Sequence, residues 1–151
     1  MLLHDAALSF LHFTFALILV GALAAEAFVL RLPVDSRVAR LLLRIDLFYG
    51  ISAVGVIAAG LARVFWGIKG AEFYGSQPFF WAKMATFAVI GVISIAPTRK
   101  FISWVKQYGK DAAFVVAEAD AKNVRRLVMI ELHLLVLVPL FAALMARGIG
   151  G

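Results

Sequence analysis

Eight side chains carry the chemistry open to this sequence: His12, Glu26, Asp46, Tyr49, Arg63, Lys83, Glu131 and His133. All lie within or at the ends of long apolar runs, where an ionisable group is expensive and needs a reason. An imidazole can ligate a metal or a haem iron. Carboxyls at successive depths can relay protons or hold a cation. Arginine and lysine can pair with carboxylates through charge-assisted bonds.

Spacing sorts these residues. Fourteen residues separate His12 from Glu26, and fourteen separate Tyr49 from Arg63. Fourteen residues nearly complete four helical turns, so each pair shares a face to within about 40°. Two polar stripes of this kind suit a path through a bundle interior or a cofactor slot. Glu131 and His133 are two apart and point to nearly opposite faces. Simpler roles exist for each group. Arg63 and Lys83 can snorkel to the membrane interface. His12 can bond a neighbouring helix. For Glu26, Asp46 and Glu131 the favoured reading is interfacial ion pairing with Arg31, Arg44, Arg125 and Arg126, with a proton or cation path as the alternative. A metal could use His12 or His133, and a copper site could join His12 to Met84 or Met129.

Other catalytic patterns are missing. No cysteine is present, which removes thiolate metal sites, disulfides and cysteine nucleophiles. The sequence contains no GxSxG, HExxH, phosphate loop or dinucleotide fingerprint.

The elements that must position these residues follow from composition. Of 151 residues, 64% are hydrophobic and 16% charged, with a mean hydropathy of +0.96. That excludes disorder and an ordinary soluble domain. Four apolar runs, at residues 6–30, 45–65, 79–96 and 127–145, approach or exceed the roughly 20 residues a helix needs to cross the hydrocarbon. Their unbroken apolar character argues for helices over a barrel. The fold expected is all-α: one domain, a polytopic antiparallel bundle of four transmembrane helices. Residues 1–5 hold Asp5 and no Lys or Arg, so the first run reads as a membrane helix rather than a signal peptide. Pro33 and Pro97 read as helix stops, residues 67–78 as a glycine-rich loop among interfacial aromatics, and residues 98–126 as a cytoplasmic loop or a surface helix.

The net charge of +6 fits basic loops and anionic lipid better than nucleic acid, for which no module is present. Eleven of the fifteen Lys and Arg fall in the first and third connections. The positive-inside rule then puts both termini outside, periplasmic if the membrane is a bacterial inner membrane. His12 lies roughly 10 Å below the outer boundary and His133 roughly 20 Å, an awkward pair for two axial ligands of one haem. One His, or one from each subunit of a homodimer, is the better haem arrangement.

Certain segments carry a resemblance: Leu11-His12, Gly21, Glu26 and Leu30-Arg31; Asp46 with Tyr49-Gly50; Gly60-Leu61-Ala62-Arg63-Val64; Pro78-Phe79-Phe80-Trp81-Ala82-Lys83; Glu131-Leu132 and Pro139. Over nearly its whole length the chain resembles an uncharacterised family of small bacterial four-helix membrane proteins. Through Leu11-His12 and Lys83 it is distantly similar to the copper-resistance D proteins and to the J-type membrane protoporphyrinogen oxidase. The resemblance implies haem or porphyrin chemistry. His12 would contact the porphyrin or a haem b iron, Arg63 and Lys83 would pair its carboxylates, and Tyr49 with the inner acids would relay protons. The sequence departs from the oxidase pattern in lacking further histidines. The function expected is a haem- or porphyrin-binding membrane redox protein, with porphyrin or quinone as partner. A small metal-ion or solute transporter or channel is the alternative, and a non-catalytic scaffold subunit the third reading.

Overall fold

The computed structural model describes residues 2–149, and these form five helices and no strand: α1 (Leu2–Val29), α2 (Ser36–Trp66), α3 (Gly70–Ser76), α4 (Pro78–Lys110) and α5 (Glu118–Ala146). Four of them are long and apolar enough to cross a membrane. They form an antiparallel bundle in which α1 packs on α2, α2 on α4, α4 on α5, and α5 back on α1. Large apolar side chains such as Phe13, Leu17, Phe48, Val54, Val92 and Val136 point outward. In water this would be an aggregation surface, but lipid solvates it.

The α1–α2 hairpin is held close by two glycines. A Cβ on Gly55 would meet the Phe15 ring at 2.5–2.8 Å, and one on Gly60 would meet His12 Cε1 at 3.3 Å. Small residues at such positions let helix backbones approach. The turn after α1 spans residues 30–35, and Asp35 starts α2 as its N-cap, accepting from the N–H groups of Arg37 and Val38 at 2.8 Å each. Across the other hairpin, Phe79 stacks on Phe141 at 6.0 Å between ring centroids.

The helices outrun the apolar segments. α2 begins at Ser36 rather than 45, and α4 passes through Pro97 to Lys110. At 33 residues α4 is about 50 Å long, against about 30 Å of hydrocarbon. Its end and the start of α5 make a hairpin beyond the membrane, joined by residues 111–117. Residues 98–126 are therefore not a separate surface helix but two bundle helices prolonged. Pro97 does not stop α4 because the helix beyond it is packed: Phe101 is 0% exposed and Trp104 2%. An internal proline costs about 3 kcal/mol, and burying one such side chain returns about 1.5–3 kcal/mol. Tyr108 donates to the carbonyl of Val34, tying the hairpin to the α1–α2 turn. Leu30, Ala39, Leu42, Val116, Val124 and Val128 complete this core.

Sequence also reads residues 67–78 as loop, whereas residues 70–76 form α3. Gly70, at φ 73°, makes the turn into it. Asp5 accepts from the N–H of Ile68 at 3.3 Å and fastens this connection to α1.

Candidate functional site

The bundle interior holds a carboxyl cluster to which all four long helices contribute. Glu26 comes from α1, Asp46, Tyr49 and Ser52 from α2, Thr98 from α4 and Glu131 from α5. Glu26 and Glu131 are each 1% exposed. The Tyr49 hydroxyl donates to Glu131 Oε2 at 3.1 Å, a bond that crosses the bundle diagonal because α2 and α5 do not pack side by side. The Thr98 hydroxyl donates to Asp46 Oδ1 at 2.9 Å. Asp46 and Glu131 stand close enough to Glu26 for their charges to act on it. Glu26 Oε1 and Glu131 Oε1 are buried with no hydrogen-bond partner. Buried polar atoms are normally paired, so each orphan demands an account.

The ion pairs expected of these acids do not form. Among the described residues the only ion pair is Lys100–Asp120, 2.8 Å and partly exposed. Arg31, Arg44, Arg125 and Arg126 are exposed. Nearness in sequence misleads here: on a helix Arg125 and Arg126 face water while Glu131 turns inward. The cluster thus gathers three carboxyls and receives no cation from the described protein.

A groove of about 410 Å³ opens beside the cluster between α2 and α4, with Asp46, Tyr49, Ser94 and Thr98 as its polar lining and Leu47, Ile51, Val54, Phe87 and Ile90 among its apolar walls.

A second group lies toward the termini. His12 Nδ1 bonds the carbonyl of Val56 at 3.1 Å. A carbonyl only accepts, so Nδ1 carries the proton of this bond. Arg63 and Lys83 are near enough for their charges to act on His12. The Arg63 guanidinium lies over Phe13 and the Lys83 ammonium over Phe80, at 5.8 and 5.2 Å from the ring centroids. Arg63 Nε is buried and unpartnered.

Tyr49 stands with the acids, apart from His12. His133 is exposed, bonded to the carbonyl of Met129 on its own helix, and does not meet His12. Its outward direction follows from the two-residue offset from Glu131. No group of three or more potential His, Asp or Glu metal ligands occurs among the described residues. The polar stripe from His12 to Glu26 is interrupted: Leu19 and Leu23 lie between them on α1, 2% and 1% exposed, with Ile90 and Leu135 also buried in the interior. Thr98 was hidden in the sequence behind Pro97, read as a helix stop. Its hydroxyl beside a proline in an apolar run was the available signal.

A family model described as Predicted membrane protein (DUF2214) matches residues 4–150. No curated protein and no solved structure matches, and these comparisons give no support to a likeness to the copper-resistance D proteins or the J-type oxidase.

Proposed function

We propose that this chain, which belongs to the Predicted membrane protein (DUF2214) family, takes up and passes protons or small cations through its buried carboxyl cluster. The observation that carries this reading is the pair of orphaned buried oxygens on Glu26 and Glu131, in an interior with no protein cation beside them. A carboxylate in such surroundings needs a positive partner. Here that partner must come from outside the protein. Asp46, Tyr49 and Thr98 extend the polar chain toward the groove. The leucines at 19 and 23 close the interior between this chain and His12, so the cluster communicates with the basic end or the groove and passage is gated. The exposed basic residues at that end favour a cytoplasmic face, which makes both termini periplasmic in a bacterial inner membrane.

Reconstituted protein with a pH-sensitive dye inside the liposomes tests this. Under an imposed potential the wild type acidifies or alkalinises the lumen, or carries sodium or potassium. Glu26→Gln and Glu131→Gln should reduce that flux to the level of empty liposomes. Equal rates in both variants and wild type would remove the reading.

One observation favours a second reading, a haem or porphyrin at His12. Its Nδ1–H is fixed by Val56, as in histidines whose Nε2 ligates a metal. Arg63 and Lys83 are suited to propionates. A haem would supply electron transfer there. Detergent-purified protein should then show a Soret band that His12→Ala loses. A colourless preparation from haem-replete cells would end this reading and leave the first intact.

A further inference from the structure

We propose that the groove between α2 and α4 binds a lipid-soluble organic cation, an aromatic or aliphatic ammonium whose charge rests on Asp46. This rests on the carboxyl-cluster reading and names the class of solute exchanged there.

Three observations lead to it. The walls are apolar, so an occupant in contact with Leu47, Val54, Phe87 and Ile90 must present an apolar body. The polar lining is one-sided. It consists of a carboxyl and three hydroxyls, on Asp46, Tyr49, Ser94 and Thr98, with no Lys, Arg or His. Asp46 is 7% exposed, and beyond the bond from Thr98 to Oδ1 its carboxyl has no hydrogen-bond partner among the described residues. Its second oxygen is left for a donor in the groove. A cation gains there what an anion or a neutral acceptor cannot, and an aromatic wall at Phe87 adds a face to which cations are drawn. Gly50 on α2 and Gly91 on α4 both line the groove, and an added Cβ at either would meet nothing within 4 Å. Entry is lateral, from the bilayer, so the ligand must partition into lipid first.

The probe is acridine orange, a fused three-ring cation, titrated by fluorescence polarisation against wild-type protein in nanodiscs of neutral lipid. Anthracene, a neutral molecule with the same ring frame, is the comparison. Saturable binding of the dye, at least about tenfold tighter than anthracene, and its loss in Asp46→Asn is the expected result. Gly91→Leu fills the groove without touching the carboxyl and should abolish binding too, which guards against misfolding of the Asp46 variant. Dye binding that is absent, matched by anthracene or unaffected by both substitutions would overturn the inference. So would a Gly91→Leu protein that binds normally but changes oligomer mass, since the groove would then be a contact between copies. Proton flux that persists without dye binding would sink this inference and spare the reading beneath it.

Discussion

The acid cluster and the His12–Arg63–Lys83 group occupy opposite halves of one bundle and differ in more than sign. The acids are drawn from α1, α2 and α5, are almost wholly enclosed, and cross-brace the bundle through Tyr49 and Glu131. The basic group is half-buried and uses aromatic faces in place of carboxylates. Between them stands a layer of buried leucine and isoleucine. Neither group neutralises the other, although a few turns of helix separate them. Two unmatched charge centres kept apart at this cost in solvation are what the proposed uptake of protons or cations from outside the protein would require.

The widest gap between the two halves should appear in flux. Glu131→Gln is expected to lower proton or cation movement by at least about tenfold, whereas Lys83→Gln changes it less than about twofold. Equal losses in liposome assays would merge the two centres into one path. Packing gives the next contrast. Gly55→Val drives a side chain into the Phe15 ring and should cost about 1–3 kcal/mol, while Gly91→Ala, in open space, should gain up to about 1 kcal/mol from helix propensity. Thermal midpoints in detergent would show opposite signs. Tyr49→Phe removes the diagonal bond and leaves both Glu131 oxygens unpaired, a loss of about 1–3 kcal/mol, measurable in the same assay. A midpoint equal to wild type would mean that water replaces the hydroxyl.

The smallest effect lies outside the membrane. The Val38 N–H, and after it the Arg37 N–H, hold the Asp35 carboxyl below its usual range. A group with a lowered folded pKa stabilises above its unfolded value of about 3.9 and loses that contribution as pH falls through the folded value. The midpoint of the wild type should therefore fall slightly more between neutral pH and about pH 3 than that of Asp35→Ala. Parallel curves would assign the cap no electrostatic role.

The four spans were legible because lipid imposes a length and an apolar content that few other contexts require. Their ends were not. Residues 99–110 and 118–126 carry exposed cations on one face and Trp104 or Val124 on the other, an amphipathic pattern that continues a helix as readily as it makes a new one on the surface. Of the site, the common face of His12 and Glu26 follows from fourteen-residue spacing. The leucines that part them also lie on that face, and spacing alone does not say which residues fill an interior. The loss of the arginine pairs has the same origin: chain proximity fixes distance along a helix, not direction around it. Thr98 could be assigned to Asp46 only once α4 was known to continue past Pro97.

The most direct test is infrared difference spectroscopy of the reconstituted protein stepped through pH, comparing wild type with a Glu26→Gln/Glu131→Gln variant. If the cluster exchanges protons, the wild type shows carboxyl C=O bands that change with pH and are missing from the variant. Identical difference spectra from both proteins would mean that Glu26 and Glu131 are inert, and the account of this interior as an exchange site would be wrong.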